Sequence, residues 1–73
     1  MYNPNAKPYH FEIPNVDGQL YVSDCYHTVE QCVYECKLAC EAYRHDYNDR
    51  DVKLFMTDSD GVWEVTEEGE LAN

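Results

Sequence analysis

Residues 9–16 alternate in character. Tyr9, Phe11 and Ile13 fall on one side, His10 and Glu12 on the other. That period of two marks a half-buried strand, closed near Pro14. Asp17-Gly18 follows, a pair suited to a type I′ hairpin turn because both central residues of that turn need positive φ. Residues 19–24 alternate again, which predicts Leu20 and Val22 inward and Tyr21 outward. A two-residue turn pairs Val16 with Gln19 and, counting outward, Ile13 with Val22, so the apolar residues of both strands share a face.

The period then changes. Val29, Cys32, Val33, Cys36, Ala39, Cys40 and Tyr43 recur at the spacing of one stripe on a 3.6-residue helix. Thr28-Val29-Glu30-Gln31 predicts a capping box, in which the Thr28 hydroxyl accepts from the Gln31 amide and the Gln31 side chain reaches back. Glu30, Glu35, Lys37, Glu41 and Arg44 lie off the stripe, and Arg44 and His45 suit the negative end of the helix dipole. The pattern predicts a helix over 28–45.

A polar loop, 45–51, leads to a strand over 51–57 with Val52, Leu54 and Met56 inward and Phe55 outward. Asp58-Ser59-Asp60-Gly61 reads as a turn and 62–66 as the last strand. Pairing Thr57 with Val62 sets Met56 opposite Trp63 and Leu54 opposite Val65, again large apolar residues on one face. Residues 1–8, with Pro4 and Pro8, are expected as an irregular arm, and 67–73 as a frayed acidic tail. The order is ββαββ. It predicts an α+β fold over 1–73 as a single domain: an antiparallel four-stranded sheet of two hairpins with one helix packed on one face.

Charge changes the picture. Fifteen Asp and Glu oppose five Lys and Arg, a formal net charge of −10 on 73 residues. The 44% hydrophobic content is enough to fold such a chain. The charge excludes a generic nucleic-acid or anionic-membrane binder, since both present negative charge. Basic surfaces and metal cations are the natural partners. Nine of the acids lie in residues 46–73, against two bases there, Arg50 and Lys53. Met1–Pro8 carry no apolar run of a signal peptide, and no stretch reaches the ~18 apolar residues of a membrane span. The expected setting is the cytoplasm, where four cysteines are read as thiols.

Cys32, Cys36 and Cys40 step by four, and Cys25 precedes them. Two thiolates one turn apart could hold zinc, with Cys25, His27 or His45 completing a tetrahedron. Against that, the three helical positions span about 12 Å of rise, too far for one ion. Buried cysteines facing the sheet are the stronger reading, and no metal or other cofactor is expected. Asp58-Ser59-Asp60-Gly61 resembles part of a calcium loop, but its glycine comes too early and a strand follows at once, which favours a plain turn. His10, His27 and His45 have no Ser or Cys at a catalytic spacing, and no glycine-rich phosphate loop is present, so no enzyme is expected.

The acids remain. Side chains at i and i+2 of a strand project about 6.6–6.8 Å apart, close to two base-pair rises of 3.4 Å. Asp46, Asp49, Asp51, Asp58, Asp60, Glu64, Glu67, Glu68 and Glu70 are therefore candidate partner-binding residues along one edge of the sheet. Tyr47 lies among them, and Tyr21 and Phe55 are expected to add exposed rings.

In size, in the sheet with one helix, and in the acids gathered over Asp46–Glu70, the chain resembles the small phage-encoded inhibitors of bacterial defence, in particular acidic anti-CRISPR proteins. The resemblance covers the whole chain in style and brings no shared motif. It implies a cytoplasmic inhibitor in a bacterial host, occupying a Lys/Arg-lined channel of a CRISPR effector that otherwise takes guide RNA, target DNA or the PAM duplex. No active-site residue carries over. Monomer and homodimer both stay open. Two alternatives stand beside it: a small adaptor that dimerises or adds a strand to a partner, and a zinc module built on Cys25, Cys32, Cys36 and Cys40.

Overall fold

A computed structural model describes residues 6–72. The first five residues of the expected arm lie outside the described residues. Five elements follow in the expected order: β1 (Tyr9–Val16), β2 (Gln19–Val22), α1 (Val29–Ala42), β3 (Lys53–Asp58) and β4 (Gly61–Val65). The strands form one antiparallel sheet in the order β2-β1-β3-β4. The helix carries the chain back so that β3 lies against β1, with Phe11 opposite Leu54.

The core is the contact of the helix stripe with the centre of the sheet. Phe11, Ile13, Leu54 and Val65 from the strands meet Cys32, Cys36 and Cys40 from α1, all buried. Cysteine suits this place. Its small side chain lets the helix approach β1, where the bulkier Phe11 and Ile13, at 1% and 0% exposure, fill the layer. Burying a side chain of that size stabilises the fold by roughly 1.5–3 kcal/mol.

The β3–β4 hairpin has the expected register, with Leu54 opposite Val65, Met56 opposite Trp63 and Thr57 opposite Val62. The first hairpin does not. Val16 faces Gln19 as expected, but Ile13 faces Tyr21 and Glu12 faces Val22, with a register shift between Ile13 and Val16. Asn15 sits in that interval at φ 57. Asparagine tolerates the left-handed region, and Pro14 beside it has no amide to give to a ladder. One extra residue reverses the faces of everything beyond it. Leu20 and Val22, expected inward, are therefore 56% and 55% exposed, and Tyr21, expected outward, packs on Phe11.

Thr28 caps the helix by accepting from the Gln31 amide at 3.1 Å. The reciprocal half of the expected box is absent, because the Gln31 side chain donates to Glu35 Oε2 instead. The helix also ends three residues before the expected 45. Arg44 turns left-handed at φ 55, its amide donates to Glu41 O, and the His45 amide donates to Cys40 O. That is a Schellman ending built on arginine where glycine is usual.

Residues 67–72, expected to fray, are instead tied down. The Thr66 amide donates to Glu70 O at 2.7 Å, the Gly69 amide to Thr66 O, and the Ala72 amide to Glu64 O. Val65 and Leu71 form an antiparallel bridge. Residues 67–72 thus fold back on β4 and cover part of its outer edge. Of the arm, Pro8 O accepts from the Thr57 amide and Ala6 O lies 2.8 Å from His27 Nδ1.

Candidate acidic interface

The acids expected to form one row fall into two groups. The loop from α1 to β3 and the turn after β4 meet at one end of the sheet. There Tyr47 donates its hydroxyl to Glu67 Oε1 at 2.7 Å. A shallow groove of about 250 Å³ at this end is lined in part by Asp49, Arg50, Lys53, Glu64 and Glu67. Asp58 and Asp60 sit in the β3–β4 turn at the other end. About 13 Å of strand rise separates that turn from Glu64.

Several of these carboxylates hold local structure. Asp46 Oδ1 accepts from the Asn48 amide at 2.8 Å. Asp49 accepts from the Asp51 amide and pairs with His45 Nε2 at 2.9 Å. The Asp51 amide first and the His45 ring second hold the Asp49 carboxyl below the usual aspartate range. Asp58 Oδ1 accepts from the Trp63 indole, the Asp60 amide and the Gly61 amide. The indole leads in lowering the Asp58 pKa. Asp58 is thus the organiser of its turn, the role expected of a plain turn residue. The side chains of Asp51, Asp60, Glu68 and Glu70 make no hydrogen bond or ion pair among the described residues.

Tyr47 is half-buried rather than displayed. Its ring lies under Lys37 Nζ at 5.2 Å, and burial, then the bond to Glu67, pushes its hydroxyl pKa up. Phe55 does lie on the helix-free face of the sheet, stacked on His10 at 5.1 Å. Sequence spacing did not show that α1 adds Glu30 to the acidic end. It shares a groove with Glu67, Glu68 and Lys37. The signal was available only once the helix was placed.

The cysteines separate. Cys25 is exposed, and Cys32, Cys36 and Cys40 are buried. Among the described residues no three His, Cys, Asp or Glu side chains gather as a metal site. Burial, then the nearby Cys25, raises the Cys32 thiol to about 11. Burial leads in raising Cys36 and Cys40 as well, and Cys36 is further held as a thiol by its hydrogen bond to Cys40. Metal ligation needs thiolates, and this environment favours the protonated form.

No helix among the described residues is long and apolar enough to cross a membrane. Comparison with protein-family models, with curated proteins and with solved structures finds no match.

Proposed function

We propose that this is a non-enzymatic binding protein that blocks a basic, nucleic-acid-binding surface of a host defence complex, as its resemblance to acidic anti-CRISPR inhibitors implies. The supporting observation is an unneutralised charge. Of the nine acids over 46–70, all but Asp49 are exposed. Among the described residues only Glu64, 3.8 Å from Lys53, and Asp49, beside His45, have a cationic side chain within reach. A folded chain gains nothing in stability by gathering like charges. A Lys/Arg-lined partner would neutralise them and be steered toward them.

The test is capture of partners from bacterial lysate at low and high salt, beside a variant with Lys at Asp51, Asp60, Glu68 and Glu70. Among the described residues these four hold no hydrogen bond through their side chains, so the exchange tests charge and spares the turns. Retention of a nucleic-acid-binding protein at low salt, lost with the variant, supports the reading. Equal retention by both proteins contradicts it.

A second reading has one observation in its favour. β2 is an edge strand, and its exposed Leu20 and Val22 flank an outer backbone edge that no strand of the sheet pairs. Strand addition there would make the protein an adaptor. Concentration-dependent self-association on a sizing column, abolished by Val22→Pro, which removes an amide of β2 facing away from β1 and leaves Tyr21 in place, would favour it.

A further inference from the structure

A further recess lies on the opposite flank of the helix from Tyr47. Phe11 forms its floor, Tyr21 and Tyr26 its half-buried walls, and Tyr43 and Leu38 its exposed rim, with Glu35 at one side. The rings are ordered against one another. Phe11 and Tyr26 are parallel within 2° at 6.2 Å, Phe11 and Tyr21 are 5.9 Å apart, and Tyr21 and Tyr43 are 5.4 Å apart.

We propose that this groove receives one arginine side chain of the basic partner, its guanidinium against the tyrosine rings and its charge on Glu35. The inference rests on the reading of a basic partner and adds to it a site outside residues 46–70. Three features carry it. The first is charge complementarity. Aromatic faces are negative and attract cations. Glu35 supplies a full charge, and no ion pair among the described residues involves it. The Gln31 side chain holds Glu35 Oε2 at 2.9 Å, which fixes the carboxylate, while no hydrogen bond among the described residues uses its other oxygen. The second is size. At about 340 Å³ the groove is at the low end of ligand pockets and open along one side, which fits a single side chain entering from a surface better than an engulfed metabolite. The third is shape. Flat tyrosine walls beside a carboxylate match a planar, weakly hydrated guanidinium better than a compact, strongly hydrated ammonium. Burial, followed for Tyr26 by the nearby Glu35, raises the pKa of the Tyr21 and Tyr26 hydroxyls, in keeping with a recess already negative and partly dry.

The experiment titrates the ¹⁵N-labelled full chain with N-acetyl-arginine methylamide and, in parallel, with the neutral isostere N-acetyl-citrulline methylamide. The arginine probe is expected to shift amides of α1 around Glu35 and Ala39 and of Tyr21 and Tyr26, and citrulline to leave them in place. Glu35→Gln and Tyr43→Leu are each expected to weaken the shift about threefold to tenfold. Both positions lie outside the buried core, and an unchanged spectrum elsewhere verifies that the variants fold. Equal shifts with both probes would overturn the inference by showing a merely apolar groove. Shifts confined to residues 46–70 would also overturn it, while leaving the acidic-interface reading intact. That reading falls separately, if the lysine variant captures partners as well as the parent does.

Discussion

The ending of α1 offers a sharp test of the fold. Arg44 occupies the left-handed region at φ 55 so that the His45 amide can reach Cys40 O at 2.8 Å and the Arg44 amide Glu41 O at 3.2 Å. For a residue with a Cβ that conformation costs roughly 1–2 kcal/mol. Glycine there relieves the strain but adds roughly 0.5–1 kcal/mol of unfolded-chain entropy to be lost. The balance predicts that Arg44→Gly is more stable than Arg44→Ala by about 0.5–1 kcal/mol. The alanine variant is the proper reference, since both exchanges remove the same charge from the helix end. In a domain of this size about 1 kcal/mol moves the melting midpoint by about 4–8 °C, so a difference of about 2–8 °C is expected between the two variants. Thermal unfolding followed by helical circular dichroism reads it directly. An alanine variant as stable as the glycine one would refute the left-handed ending and place the helix terminus elsewhere.

Three further outcomes follow from other parts of the structure. Iodoacetamide should label the exposed Cys25 in the native protein and leave Cys32, Cys36 and Cys40 untouched until denaturant is added; mass spectrometry showing four equal rates would contradict the buried stripe. The shifted register of the first hairpin predicts that Leu20→Ser and Val22→Ser change stability by about 0.5 kcal/mol or less, while Tyr21→Ala costs about 1–3 kcal/mol; urea unfolding with the opposite ranking would restore the unshifted register. Asp58 has its pKa lowered below the ordinary 3.8, so its stabilising effect is present above that value and fades as pH falls through the lowered one. The gap in melting midpoint between the parent and Asp58→Asn should therefore close on acidification, and a gap that widens would show that the carboxylate is not the acceptor in the turn.

Much of this fold could be read from periodicity. The switch from period two to 3.6 and back marks β1, α1 and the β3–β4 hairpin, because each buries one face and burial imposes the pattern. The β3–β4 register was legible because Leu54, Met56, Trp63 and Val65 allow only one pairing that keeps them together. The faces of β2 were not legible. Leu20 and Val22 argue for burial on hydropathy, and a single left-handed Asn15 overrides them through a shift that no alternation reveals. The strand order was equally hidden, since nothing local says that β3 lies beside β1 rather than β2. Within the candidate site, the acids were visible as a run in sequence. Their division between two ends of the sheet, and the use of Asp46, Asp49 and Asp58 as turn acceptors, depend on which amides come within reach. The tyrosine groove needed the same three-dimensional information, because Phe11, Tyr21 and Glu35 come from three different elements and Tyr26 and Tyr43 from the segments flanking α1.

We propose that exposed carboxylates, unpaired among the described residues, bind a basic surface. The most direct test is the dissociation constant of the purified complex with a captured partner, measured across a salt series. Surface charges more than about a Debye length apart are screened, and that length is about 10 Å at 0.1 M. The affinity is expected to fall steeply with rising salt, chiefly through slower association, and to fall much less steeply for the variant with Lys at Asp51, Asp60, Glu68 and Glu70. An affinity independent of salt, with the variant bound as tightly as the parent, would contradict the proposal.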